Sequence, residues 1–520
     1  MSSIIPDFIV IGAGTNGLAA AAYLGNEGYS ALVLERLPYI GGGAITQELT
    51  LPGFKHDVFA TSINIWRASS IQQDLELEKY GYRDVNPDPV ASTPFRNGKG
   101  AISIYRDLNL TLKSISQFSE KDAEKFRAIY DFYLESREIL LGSLASAPVP
   151  FSTMMNALEG SDTGLDFLQF SYMSARDWLE ENFESEEMRA FLALWGSNHV
   201  PLSPEDSGSA ILVLIFAGLL QDRGAGVPIG GMATVAQALG KCVTAQDGTI
   251  LASEAVDQIL VKDGRASGVR TKRGKEFHAK LGVLASTELK SLFSELVPES
   301  ALDKTFLKKV KSFRYSRVTQ VMIHAALDGW LDYDPPEVRR SGLVQIGETL
   351  DEISRAYNDC TTGRPPREPF MTIDNTTGYD ITRAPPGKHI LWNFVRAPVF
   401  VGGKPWTEDQ KERFADACID RLSAYAPNAN KIVMKRAVLT PQDIERLNPN
   451  LVWGDPNGGK GTSDQALALR PFPNWAEYRT PIVGLYMCSP ANHPGGGVSG
   501  LSGHNAAMAA IEDAKQNKLR

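Results

Sequence analysis

Cysteine is scarce in this chain. Its four thiols, Cys242, Cys360, Cys418 and Cys488, stand far apart in 520 residues and make no C-x-x-C pair. That spacing argues against a disulfide framework, a metal site and a redox-active disulfide. Positive charge is not in excess either: 53 Lys and Arg face 61 Asp and Glu, a formal net charge of −8. The surface therefore lacks the basic face that nucleic acid binding needs. Long hydrophobic runs are missing too. The longest, Ala210 to Leu220, is too short to span a bilayer and reads as a buried helix. There is no HExxH, no Ser-His-Asp order, no phosphate-transfer motif, no internal repeat and no low-complexity linker. No secretory signal precedes the first apolar strand, so the expected location is cytoplasmic, with peripheral contact to a membrane as the alternative. Nothing in the sequence sets an oligomeric state.

What is present is a globular composition, 43% hydrophobic and 22% charged, long enough for two to four domains' worth of core. Its most informative stretch begins at Asp7. The apolar strand Phe8-Ile-Val-Ile leads into Gly12-Ala-Gly14-Thr-Asn-Gly17, an Ala-rich helix follows, and a second apolar strand, Ala31-Leu-Val-Leu, ends in Glu35-Arg36. In a G-x-G-x-x-G turn the first glycine permits the bend, the second admits a pyrophosphate to the backbone, and the third lets helix and strand pack closely. The helix N-terminus offers unpaired N–H groups and a positive dipole end. Glu35 follows at the distance where an acid binds a ribose hydroxyl pair. Strand, turn, helix, strand and acid in register predict a dinucleotide site.

Two further glycine clusters decide which dinucleotide. Gly41-Gly42-Gly43-Ala44 comes soon after the ribose acid. Near the other end, Gly484-Leu-Tyr-Met-Cys-Ser489 runs through His493-Pro-Gly495-Gly-Gly497-Val-Ser-Gly500 into a helix of small residues. Such glycine density lets backbone lie against a flat ring, and the helix behind it would stabilise negative charge there. These motifs resemble the flavin amine oxidase and phytoene desaturase superfamily, whose N-terminal pattern is GxGxxG followed by E-[RK]-x4-G-G-[RKA]. Gly43 stands where many relatives carry Arg. The chain looks still more like the branch named for pyridine nucleotide-disulphide oxidoreductase domain-containing protein 2, through Thr440-Pro-Gln-Asp-Ile-Glu, Asp464-Gln465, Arg470-Pro471 and Tyr478-Arg-Thr-Pro481.

The resemblance implies an α/β fold, α+β overall. It consists of a discontinuous Rossmann-type FAD-binding domain with a β-meander (1–80, 225–290 and 440–520) and a mixed sheet-and-helix substrate lobe (81–224 and 291–439). The meander is expected over Val256 to Gly274, with a turn at Asp263-Gly264. Asn97-Gly98 marks another turn, and Ser119-Glu-Lys-Asp122 resembles a capping box before a helix.

FAD, bound without a covalent link, is the implied cofactor. Its expected contacts are Gly12, Gly14, Gly17, Glu35, Arg36, Gly42, Gly43, Val256, Ser489, Gly496, Gly497 and Val498. No residue cluster suggests a metal. His493 is the candidate for moving a proton, since its loop should lie near the flavin, against the plainer reading of a histidine that braces the loop. Trp66 and His56 are candidates for the substrate pocket, against core and turn-stabilising readings. The implied activity is that of an FAD-dependent oxidoreductase, a dehydrogenase or desaturase acting on a largely apolar small molecule, with oxygen or a quinone as electron acceptor. A flavin amine oxidase, an FAD-dependent isomerase without net redox change, and a binding protein of the GDP-dissociation-inhibitor type are the alternatives.

Overall fold

Alternation along five short strands divides the first half of the architecture into layers. In the computed structural model, which describes residues 5–519, these strands run parallel in the order Leu485–Met487, Gly282–Ala285, Phe8–Ile11, Ala31–Leu34 and Thr249–Leu251. Residues 1–4 and 520, the extreme ends of the segments expected as 1–80 and 440–520, lie outside the described residues. Phe8, Val10 and Val33 pack against three helices, Thr15–Asn26, Ala233–Ala245 and Leu501–Lys515. Ile9, Ile11, Leu32 and Leu34 turn the other way, onto Ile259 and Val269 of a three-stranded antiparallel sheet. That sheet, Val256–Lys262, Arg265–Thr271 and Glu276–His278, is the meander. With both faces covered, the three central strands read as unbroken, fully buried apolar runs. This half is a Rossmann-type α/β layer structure.

Two glycines set how closely its layers approach. A β-carbon on Gly17 would lie 2.0 Å from the carbonyl oxygen of Gly12, and one on Gly503 would lie 1.9 Å from that of Asn16. The first contact seats the helix on its strand. The second seats helix Leu501–Lys515 on helix Thr15–Asn26.

The other half is built on a seven-stranded mixed sheet in the order Val433–Leu439, Val318–Leu327, His389–Pro398, Met371–Asp374, Leu343–Ile346, Ala91–Phe95 and Gly100–Ile104. Its two long strands pair over their whole length, from Val318↔Pro398 to Leu327↔His389. One face sends Val321, Ile323, Leu391 and Val395 into a core with Phe414, Cys418 and Leu422 of helix Glu408–Ser423. The opposite face carries Gln320, Trp392 and Phe394 towards the interior cavity. The edge hairpin turns through Asn97 and Gly98, both at positive φ, as a tight hairpin requires.

Helices cover the remaining side. Helix Glu120–Ala145 starts at Ser119, whose hydroxyl accepts from the Asp122 N–H. The capping box expected there is only half formed: the Asp122 carboxylate accepts instead from the N–H groups of Glu184 and Ser185, tying this helix to a later segment. The apolar run forms helix Ala210–Arg223, with Val213, Phe216 and Leu220 buried beside Phe191 and Trp195. No helix among the described residues is long and apolar enough to cross a membrane. Two segments pack where the two halves adjoin. Helix Lys304–Ser312 buries Phe306 and Val310 beside Val283 of the parallel sheet, and helix Pro441–Leu447 buries Ile444 against Met322 and Trp392.

The glycine contact between helices yields a direct test. Gly503→Ala forces a β-carbon into a backbone oxygen and should cost about 1–3 kcal/mol of stability, the range for overpacking. Gly142→Ala, in a helix where the added carbon meets nothing within 4 Å, should instead gain about 0.5–1 kcal/mol. Denaturant unfolding of the two variants checks both signs.

Candidate functional site

The first two glycine turns touch backbone to backbone. The Gly41 N–H donates to the Ala13 carbonyl at 2.8 Å. Gly42, at φ +60°, comes so near Gly14 that a β-carbon on it would lie 2.8 Å from the Gly14 Cα. Helix Thr15–Asn26 starts after Gly14 with no side-chain cap, and Gly12, Gly14 and Thr15 line a cavity of about 500 Å³. The positive end of that helix therefore faces the cavity. Glu35, 7% exposed, lines it too. Its Oε2 accepts from the Ala13 N–H and its Oε1 from the Leu37 N–H, both at 2.8 Å. Each oxygen keeps a lone pair for a ligand. Arg36, Gly42, Gly43 and Val256 complete this end.

The third glycine cluster forms the middle of the cavity wall through Gly495, Gly496, Gly497, Val498 and Ser499. Its backbone departs from the dihedral angles of any regular element. Gly495, Gly497 and Gly500 have φ of +109°, +100° and +72°, and Val498 has φ +51°, a conformation that a β-branched residue avoids. Buried side chains grip the carbonyls of this loop. Tyr478 Oη and Ser502 Oγ donate to the His493 carbonyl at 2.9 and 3.1 Å. Arg470, 4% exposed, donates through Nη2 to the carbonyls of Pro490 and Asn457, each at 2.7 Å, and through Nε to that of Asn492 at 3.3 Å.

The far end of the same cavity is walled by residues that sequence reasoning missed. Trp392 and Phe394, two apart on one strand, present nearly parallel rings with centroids 6.0 Å apart. Gln320, Thr372 and Asn198 lie beside them, with His199 on helix Glu186–His199. His199 Nε2 is 3.1 Å from Asn64 Nδ2, and its ring lies 5.2 Å from that of Trp195 and 4.5 Å from that of Phe216. The alternation Trp392-x-Phe394 is the one signal the sequence offers for this wall.

This geometry has known counterparts. A family model described as an NAD(P)-binding Rossmann-like domain matches residues 10–75. The chain is 31% identical over 551 residues to pyridine nucleotide-disulfide oxidoreductase domain-containing protein 2 of Mus musculus, across 98% of this chain and 94% of that protein. It belongs to that family, a branch of the phytoene desaturase-like FAD-dependent oxidoreductases. One of the limonene dehydrogenase polypeptides of Castellaniella defragrans is 26% identical across 98% of this chain and 94% of its own length. An oxidoreductase from Methanosarcina mazei shares the fold, with a TM-score of 0.62 and 19% identity over 97% of this chain and 99% of its own.

The residues present fit the dinucleotide that the phytoene desaturase-like family implies. Asn16 Oδ1 and Thr287 Oγ1 are buried at the cavity wall without a hydrogen-bond partner, and a β-carbon on Gly43 would meet nothing within 4 Å. Five residues expected at this family site lie elsewhere. His493 is 2% exposed and lies behind the loop, with Nε2 on the Ser143 carbonyl at 2.7 Å, and does not line the cavity. His56 is fully buried, with Nε2 on Thr50 Oγ1 at 2.8 Å and its ring against His324, so it is no pocket residue. Trp66, also fully buried, packs in the helical core with Tyr82 rather than walling the pocket. Ser489 shapes the turn before the loop, its carbonyl accepting from the Asn492 N–H at 3.0 Å. Gly17 is the helix–strand contact described above and stands off the cavity.

Burial leaves several imidazoles hard to protonate. It lowers His199, His324 and His493 from the ordinary 6.5 to about 4. Between those values the unfolded chain binds protons that the folded chain refuses, so stability present above pH 6.5 is lost as pH falls towards 4, by about 1.4 kcal/mol per pH unit for each such histidine. Unfolding free energies between pH 6.5 and 4 should show that slope. His493→Gln should make it shallower, and an unchanged slope would remove His493 from the account.

Proposed function

We propose that this chain is an FAD-dependent dehydrogenase or desaturase that holds FAD non-covalently and introduces a double bond into a largely apolar small molecule. Oxygen or a quinone then receives the electrons. The observation that carries the reading is the continuity of the cavity. A single space runs from Glu35 and Val256, past Gly496 to Val498, to Phe394 and His199. A dinucleotide anchored at one end therefore presents its reactive portion at the other. When bound, FAD would supply the acceptor for a hydride taken from one substrate C–H while the adjacent carbon gives up a proton, chemistry that belongs to the cofactor.

The chain's own residues have separable tasks in this reading. The open N-terminus of helix Thr15–Asn26 receives the pyrophosphate. The Glu35 carboxylate, aimed by the Ala13 and Leu37 N–H groups, receives the ribose hydroxyls. The loop Gly495 to Gly500 brings backbone against the ring system and points helix Leu501–Lys515 towards it, favouring negative charge there. Trp392 and Phe394 give the substrate a flat apolar wall and exclude water. His199, held by Asn64 and clasped by two aromatic rings, fixes the outer limit of the pocket. The carboxylates that line the cavity, Glu35, Glu254, Asp257 and Glu295, belong to the dinucleotide end, which favours an apolar substrate over an ammonium at the other.

The purified protein should be yellow and release its flavin on denaturation. Anaerobic incubation with the right apolar donor should bleach it. A colourless protein would defeat the reading. Glu35→Ala should weaken FAD binding by about 1.5–3 kcal/mol, roughly ten- to a hundredfold in the dissociation constant. Gly497→Val, at φ +100° and with its β-carbon 3.0 Å from Ile65, should fold but retain little flavin. Both are read from the flavin-to-protein absorbance ratio and from equilibrium titration with FAD.

A further inference from the structure

Beside the apolar wall lies a set of polar groups that the proposed chemistry leaves unused. Alternation places them on the cavity-facing side of the seven-stranded sheet. Arg396 follows Trp392 and Phe394 at two-residue steps, and Gln320 is its direct partner on the neighbouring strand. Gln345 lies two residues beyond the lining residue Leu343 and pairs with the lining residue Thr372. Asn198 adds its side chain from the covering helix, with Nδ2 bonded to Thr372 Oγ1. Arg396 and Gln345 are fully buried, and Gln320 and Asn198 are 2% and 3% exposed.

These groups are far from satisfied. Arg396 Nη2 donates to the Asn198 carbonyl at 2.6 Å, but its Nε and Nη1 have no partner, and neither have Gln320 Oε1, Asn198 Oδ1 or either polar atom of the Gln345 amide. No carboxylate among the described residues forms an ion pair with Arg396. Its guanidinium lies 4.7 Å from the centroid of the Phe394 ring, immediately behind the cavity wall. Buried polar groups are nearly always paired, and a buried cation with no acid in ion-pair contact costs more still; the buried Asp455 carboxylate acts on Arg396 only from beyond that range. Of these unpaired atoms, the donors Arg396 Nε, Arg396 Nη1 and Gln345 Nε2, next to a cavity, describe a receptor for an anionic oxygen group.

We propose that the substrate is an apolar molecule bearing a carboxylate, whose head group is taken by Arg396, Gln320, Gln345 and Asn198 while its hydrocarbon lies along Trp392 and Phe394. This rests on the substrate end assigned under the proposed function and specifies its chemistry. Arg396 supplies the charge and donors to the carboxylate. The Gln345 amide N–H group adds another donor. The arrangement holds the chain by one end and thereby sets which carbon faces the reacting edge.

The test compares head groups on one hydrocarbon. Decanoate, 1-decanol and decylamine are titrated into the purified protein at pH 7.5, by calorimetry and by perturbation of the flavin spectrum. Decanoate should bind at least about tenfold more tightly than decanol, the factor a hydrogen bond to a charged group supplies, and decylamine should bind most weakly. Gln345→Leu and Arg396→Met should each remove about tenfold or more of the decanoate affinity while leaving that of decanol nearly unchanged. If Arg396→Met does not fold, the wild-type order and Gln345→Leu still decide. Equal binding of acid and alcohol, no binding of the acid, or an acid preference that survives the substitutions would overturn the proposal. Calorimetry needs no flavin signal, so a colourless protein that prefers decanoate would defeat only the FAD reading. A yellow protein indifferent to the head group would defeat only this one.

Discussion

The site depends on a guanidinium that makes no ion pair with an acid among the described residues, Asp455 acting on it only from a distance. Arg470 is buried and spends its hydrogens on backbone carbonyls, those of Asn457, Pro490 and Asn492. A loop as rich in glycine as Gly495 to Gly500 has no regular ladder to satisfy its backbone, and its entropy in the unfolded chain is large. Charge-assisted bonds to carbonyls are the strong kind, and several of them from one rigid fork can fix what the loop cannot fix for itself. Tyr478 and Ser502 close the other side of the same loop through the His493 carbonyl. The left-handed backbone at Val498 persists because its surroundings over-determine it.

Two kinds of constraint meet in the cavity. At the dinucleotide end, shape comes from missing side chains: Gly42 rides on Gly14, Gly17 on Gly12, and Gly503 on Asn16. At the other end, shape comes from side chains at alternate positions on broad antiparallel strands. The first end recognises backbone-sized chemistry shared by many proteins. The second can change residue by residue without disturbing the pairing of its sheet, and there a substrate preference can be written independently of the cofactor.

This division also explains what is legible in the sequence. The parallel strands, the three glycine clusters, Glu35 and the meander follow from local spacing, because a turn against a helix N-terminus demands particular residues at particular offsets. Gln320 and Thr372 carry no such signature. Their strands are buried on both faces, so polar residues facing the cavity do not stand out by alternation. His199 ends a helix whose burial is nearly continuous. His493, His56 and Trp66 are suggested by chemical versatility near a glycine block or turn, yet proximity in sequence to a site is not exposure to it. The packing of helix Lys304–Ser312 beside the parallel sheet is not legible either, because a side chain's choice between two adjoining cores depends on tertiary packing.

The order of the parallel sheet has a consequence for synthesis on the ribosome. Phe8–Ile11 sits at its centre, yet one of the two strands flanking the centre is Gly282–Ala285, and the edge beyond that is Leu485–Met487. At about 5–20 residues per second, the first strand waits on the order of tens of seconds for the loop and helix that complete its surroundings. Through that interval the seven-stranded sheet is acquiring its own strands, while the apolar face of Phe8 and Val10 still lacks helix Leu501–Lys515. A nascent chain of this architecture needs that face shielded by other means until residues 501–515 have been made, and the glycine wall of the cavity forms no earlier.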